Sequence, residues 1–366
     1  MICLPTFLPD LTLWYARNLE RDSLPVAWRD WSLQDICREL GVGAWLVQKP
    51  WRIEYDGIIY AEEQDGASRI RRWETLGGVL KARWILGPDG DWWQSEYPVK
   101  TVEDLPLVEE VVRARRYVVD KSHMKDSSQK ACKAGDIAGD DLYPAIELPM
   151  RPWSELLHSY IGWAEGLMIA FDESERLGEL SDILEDKYAL LLKELVEFPQ
   201  TIFLSPDNLD GNFISPGIFE GQLAAGYTRT AEFLHSWDKS LVVHIGGYSR
   251  SLLAGLANCG VDCVEGVCGP PQGDASIPES RSLCGNKLTL WGGLAQDWLL
   301  PSCTDAEFRA ACDSALADIQ ADSRAVMGVA GKQADKPVER RAVLGIADRV
   351  PADAVIERLR YAAGLA

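Results

Sequence analysis

The sequence predicts an α/β protein: a distorted (β/α)8 TIM barrel with an antiparallel β-meander inserted near its N-terminus. Three observations predict it. Short β-branched runs alternate with amphipathic helical patterns through the second half of the chain, as a parallel sheet covered on both faces requires. The candidate strands number eight, the count that closes such a barrel. The Gly-rich turn of an open doubly wound sheet is missing, because GVGAWL (41–46) lacks a third glycine and GVAGKQ (328–333) lacks the phosphate-loop spacing and its Ser or Thr.

In chain order, LPVAW (24–28) and GAWLVQ (43–48) read as the first two barrel strands. From Trp51 to Val99 the texture changes to alternating segments, with turns at Asp56-Gly57, Asp65-Gly66 and Pro88-Asp89-Gly90, which predicts the meander over 51–99. A helix is expected over 102–119, then a polar surface loop over 120–141, then a third strand in YPAIELP (143–149). The next helix begins near Asp172, repeats Leu177, Leu180, Leu184, Leu191 and Leu195 on one side, and stops at Pro199. TIFLS (201–205), LVVHI (241–245), DCVEGV (262–267), KLTLWGG (287–293) and RAVLGIA (341–347) supply strands four to eight. Before the last of these, Thr304 and Glu307 form a capping box ahead of Phe308, Ala311, Cys312, Ala315, Leu316 and Ile319 at helical spacing. The expected organisation is one barrel domain over 1–366.

Composition bounds the partners. The 37 basic and 56 acidic side chains leave a formal charge of −19, which argues against nucleic acid and anionic lipid as partners. With 47% hydrophobic and 25% charged residues the chain has a globular composition. Its start, MICLPTFLPDLTLWYARNLE, is a poor signal peptide, and no run of ~18 apolar residues predicts a membrane span. Nine scattered cysteines, an odd number, fit reduced thiols in a cytoplasmic protein.

In a parallel barrel the functional groups gather at the C-terminal ends of the strands. His244, one of four histidines, closes an apolar strand and precedes Gly246-Gly247, so it is either a catalytic imidazole or one bonded to neighbouring backbone. His123, His158 and His235 sit in loop or helix contexts that suit surface roles. Asp207 directly follows a strand, as an acid, base or substrate anchor, or else as a turn cap beside Asn208. Cys259 and Cys263 read as small buried apolar side chains. Cys268, past the sixth strand, could join His244 and Glu265 in a mixed zinc site, provided the chain bends between 265 and 268. Nine of the 14 tryptophans precede residue 94. They either pack the meander or line a pocket for an aromatic or methylated cationic compound, Trp28 and Trp45 standing closest to strand ends; with Trp291, which ends the seventh strand, and Asn208, which follows the fourth, they are the expected substrate contacts.

At these strand ends SPDNLDGNFISPGIFE (205–220), LVVHIGG (241–247), GPPQGDASIPESRSLCGNKLTLWGGL (269–294) and VLGIADRVPADAVIERLR (343–360) resemble the uroporphyrinogen decarboxylase superfamily. The resemblance implies a distorted (β/α)8 barrel and one of two chemistries. LPVAWRDWSLQDICREL lacks the Arg-Gln-Ala-Gly-Arg-Tyr run with which the decarboxylases hold a porphyrinogen, so the corrinoid-dependent methyltransferase branch is the nearer one. Its zinc-dependent members carry His-x-Cys after the fifth strand and another Cys after the eighth; here His244 is kept, but Gly246 and Ala347-Asp348 stand at the thiolate positions. The resemblance therefore implies demethylation of a small methylated donor, a methoxylated aromatic or a methylamine-like compound, with transfer to a corrinoid (cobalamin) on a partner protein. The leaving atom needs a proton or a Lewis acid, from His244, Asp207, Tyr227 or a zinc ion held near His244. Two alternatives are a decarboxylase or lyase of a small acid at the same site, and a barrel that only binds a ligand.

Overall fold

A computed structural model describes residues 7–87, 91–124, 142–163, 166–329 and 342–365. The strands are β1 (Ala44–Gln48), β2 (Trp51–Tyr55), β3 (Ile59–Asp65), β4 (Ser68–Glu74), β5 (Val79–Leu86), β6 (Trp92–Glu96) and β7 (Arg115–Val119). They continue as β8 (Leu142–Glu147), β9 (Ile202–Leu209), β10 (Ser240–Ile245), β11 (Cys263–Val267), β12 (Thr289–Ala295) and β13 (Ala342–Ala347). The chain divides into two compact units.

The first unit holds the residues up to Gln48, β8, and the chain from Pro199 onward. Its sheet has seven parallel strands in the order β1-β8-β9-β10-β11-β12-β13, the mixed α/β architecture of a TIM-like barrel. Seven of the eight expected strands are therefore present. LPVAW is not a strand: Pro25 precedes a 3₁₀ turn over Val26–Trp28. Its place is taken by Phe7–Asp10. Leu8 N donates to the Leu344 carbonyl at 2.9 Å, Gly43 N donates to the Phe7 carbonyl at 3.4 Å, and Asp10 forms a parallel bridge with Arg349. This short segment bridges β13 to the start of β1, so the sheet's two edges are not left as open templates.

Alternation along each strand sorts the side chains. Trp45, Tyr143, Ala145, Ile202, Val242, Cys263, Trp291 and Val343 meet with Leu8 in one buried cluster, with Val47 and Leu204 against it. The intervening residues face the helices, where a larger cluster around Phe7, Trp14, Trp28, Leu294, Phe308 and Leu344 forms. The capping box of Thr304 and Glu307 starts the helix Asp305–Val329 as the sequence predicts.

The second unit holds the chain from Lys49 through β7, and Leu148–Phe198. The meander is a four-stranded antiparallel sheet, β3-β4-β5-β6. β2 does not join it but pairs with β7, from Trp51↔Val119 to Tyr55↔Arg115. The expected helix over 102–119 accordingly ends at Ala114, because the aromatic and β-branched RRYVV run is claimed by that ribbon. Ser174–Leu195 is the long leucine-faced helix. The Pro88-Asp89-Gly90 turn and residues 125–141 of the expected polar loop lie outside the described residues. No helix among the described residues is long and apolar enough to cross a membrane.

Candidate functional site

His244 shares its face of β10 with Val242, which belongs to the cluster inside the sheet. It therefore stands just above that cluster, at the C-terminal end of the strands. On the neighbouring strand Glu265 is its register partner and lies on the same face as Cys263. The Glu265 carboxylate bonds His244 Nδ1 in a very short contact. His244 Nε2 lies 3.9 Å from Asp348 Oδ1, and the His244, Glu265 and Asp348 side chains keep 16%, 10% and 29% of their surface exposed. Of the two carboxylates flanking the imidazole, that of Asp348 is the more open to solvent.

Burial works against a charge on His244, but the charge and hydrogen bond of Glu265, followed by the charge of Asp348, outweigh it and raise its pKa from 6.5 to about 9. Burial also pushes the Glu265 carboxyl up, against the lowering by His244. The pair therefore holds its proton on the imidazole through neutrality, with Nδ1 fixed and Nε2–H facing the opening.

Two residues absent from the expected site complete the rim. Asp10, carried by the bridging segment, is half-buried; loss of hydration raises its pKa, although Thr12 donates to it through both N and Oγ1. Arg349 Nε lies 3.7 Å from Asp348 Oδ1. Asp348 itself takes φ +70°, a left-handed conformation unusual for a residue with a Cβ. Behind the rim, Gln272 donates to the Ala347 carbonyl and accepts from Gln296 N, and Asp274 accepts from Ser249 N and Arg250 N. The loops after β10, β11, β12 and β13 are thereby tied together.

Asp207 is not brought to His244. Ile202 and Leu204 face the inner cluster, so Ser205 and Asp207 turn to the helix side of β9. There the fully buried Asp207 accepts a hydrogen bond from Ser205 Oγ at 2.7 Å and a very short one from Tyr227 Oη, on the helix Ala224–His235. The expectation that an imidazole and this carboxylate look into one hollow is not met: Asp207 and Tyr227 tie a helix to the back of the sheet. Asn208, one residue on, is exposed with φ +49°. A Cβ on Gly246 would lie 1.6 Å from Asn208 Oδ1, so the Asn208 side chain rests against that glycine.

The tryptophans divide in the same way. Trp45 and Trp291 meet edge to face at 4.9 Å, and Trp291 Nε1 donates to the Leu8 carbonyl at 2.8 Å. At 3% and 1% exposed they form the packed floor beneath His244. Gly345 is required there, because a Cβ would sit 2.3 Å from Trp291 Nε1. Trp28 packs between Trp14 and Trp31 in the cluster on the helix side, not at the strand ends.

The mixed zinc site is not assembled. The chain does bend at Gly266, where φ is +100° and the register with β12 shifts, but Cys268 packs against Ala295 and Ala347. Burial pushes its thiol up to about 11. Among the described residues no group of three or more His, Cys, Asp or Glu could hold a metal ion. Cys259 caps a helix end and Cys263 lies in the inner cluster, both buried as expected. His235 is partly exposed and pairs with Asp262, and His158 accepts from Trp163 Nε1.

No family model matches the chain, and no curated protein matches it. Among solved structures it is similar to a methyltransferase from Methanosarcina mazei, at 14% identity and a TM-score of 0.49 over 77% of this chain and 74% of that one. A second likeness is to a structure from work on inhibition of the pneumococcal virulence factor StrH and its N-glycan hydrolysis, at 11% identity and a TM-score of 0.36 over 98% and 82%. At these distances neither likeness bears on function.

Proposed function

We propose that this protein demethylates a small methylated donor, a methoxylated aromatic or a methylamine-like compound, at the opening beside His244. The observation that carries the reading is the fixed imidazole: Glu265 holds Nδ1, and Nε2 faces the solvent-reached side near Asp348. When a methyl group leaves an ether oxygen, the C–O bonding pair stays on that oxygen, which must take a proton. His244 Nε2–H supplies it and Glu265 offsets the imidazolium charge beforehand. A reduced corrinoid on a partner protein, a co-substrate and not a group held by this chain, supplies the nucleophile that accepts the methyl. Asn208 contacts the donor from the end of β9, while Asp207 and Tyr227 position that strand end from behind. No step is assigned to zinc, because Cys268 stands apart, packed against Ala295 and Ala347.

The test is incubation of the purified protein with methoxylated aromatics, methylamines and reduced cobalamin, following the absorbance change of the corrinoid. Methylcobalamin formation that falls by two or more orders of magnitude in His244→Ala supports the reading. No methylation with any donor, or full activity in the variant, sinks it.

A further inference from the structure

Away from His244, a cavity of about 220 Å³ opens between the C-terminal end of β12 and two helices, Ile277–Cys284 and Asp305–Val329. Small side chains leave the space: Gly293 on the strand, and Ala311 and Ala315 on the second helix. Ile277 and the Trp298 indole supply apolar wall. Two of its polar groups have been spoken for or sit at the edge. Ser276 Oγ is engaged by Glu279 in a capping box, and Ser314 is exposed.

The third polar group is Asp318. Among the described residues it has neither a hydrogen bond nor a cationic partner. The arginine that could reach it from the facing helix is committed elsewhere: Arg281 grips Asp322, one turn further along, at 2.7 Å. Arg250 is likewise held by Glu279 and Asp274. Half-buried and close enough to Glu279 to feel its charge, the Asp318 carboxyl is pushed up, burial being the larger cause. A carboxylate kept in a partly apolar cleft without a counter-charge is costly, and an incoming cation removes that cost.

We infer that this cavity is a binding site for a small organic cation, a primary or secondary ammonium on a short apolar body, with Asp318 as its counter-ion. The chemistry excludes the competitors. An anion would face Asp318 and Glu279 together. A hard divalent cation needs six or more oxygen ligands, and the cavity offers one carboxylate and one outlying hydroxyl. The volume lies below the ~300–1,000 Å³ of pockets for drug-sized ligands, so the apolar body is short. The Trp298 indole suits an alkylammonium, since aromatic rings attract such cations.

The inference stands apart from the demethylase reading and is tested without turnover. Calorimetric titration of the full chain with n-butylammonium should show saturable one-to-one binding that weakens with added salt, while butyrate and butan-1-ol show none. Asp318→Asn should weaken n-butylammonium binding at least tenfold without lowering Tm, since it removes an unpaired charge. Ala311→Leu, which fills the cavity and keeps the carboxylate, should weaken it as much, and carries the test alone if the first variant does not fold. Absence of saturable binding, equal binding of butyrate, or undiminished binding in a folded variant overturns the inference.

Discussion

Replacing Glu265 by Gln removes the charge that holds the proton on His244 and changes little in volume. In the native protein the His244 pKa is raised from 6.5 to about 9. With a raised folded-state pKa, the stabilising contribution is complete below about pH 6.5 and is lost as the pH climbs through about 9. At ~1.36 kcal/mol per pH unit, that rise corresponds to about 3 kcal/mol. In Glu265→Gln the burial that opposes the imidazolium is no longer outweighed, so the His244 pKa should drop to 6.5 or below. Four histidines make the assay tractable, since imidazole carbon-bound proton resonances can be followed from pH 5 to 10 and assigned by single His substitutions. Urea unfolding at pH 6.5 and 9.5 gives the energetic arm. The native protein should lose up to about 3 kcal/mol more than the variant between those pH values, and the difference cancels the thiols and lysines that titrate in both. A native His244 that titrates at or below 6.5, or an unchanged value in the variant, refutes the electrostatic account of the site. The same sign governs turnover: ether demethylation should fall as pH rises through about 9.

Three further outcomes follow from close contacts. Gly246→Cys puts a thiol two residues after His244 but should bind no zinc, because Cys268 stays packed against Ala295 and Ala347, and it should cost no more than ~0.5 kcal/mol, since only the exposed end of the Asn208 side chain has to swing aside; stoichiometric zinc in the purified variant would contradict this. Tyr227→Phe removes a donor from buried Asp207 and should cost ~1–3 kcal/mol in unfolding free energy while leaving the His244 titration curve in place. A displaced His244 curve would mean that the two groups share a face after all. Gly345→Ala pushes a methyl against Trp291 Nε1 and should break its bond to Leu8, lowering stability by ~1–3 kcal/mol; an unaltered Tm would show that the floor has slack.

Much of the sheet was legible in the sequence because β-branched runs of five to seven residues stand out between helical stretches. LPVAW passed the same filter and failed, since its Pro25 and Trp28 belong to a 3₁₀ turn packed on Trp14 and Trp31. The segment that does bridge the sheet's edges, Phe7–Asp10, is too short and too proline-marked to read as a strand. It is recognisable only once Leu344 and Gly43 are in place to accept and donate. A similar limit applied to β7, whose pairing with β2 joins residues at least sixty positions apart.

The site shows why strand ends can be found by reading a sequence while strand faces cannot. A strand covered on both sides is apolar throughout, so LVVHI and TIFLSPD do not say which parity looks inward. His244 was the stronger candidate and Asp207 the next, but only register decided which of them faces inward. Val242 and Ile202 fix the inner face, and the count from each sends His244 in and Asp207 out. The same register puts Glu265, which the sequence offered only as a metal ligand, directly beside the imidazole. Its carboxylate holds a proton on the imidazole and leaves Nε2 toward Asp348. On the same rim the Asn208 side chain, from the neighbouring strand, fills the space that the missing side chain of Gly246 leaves open.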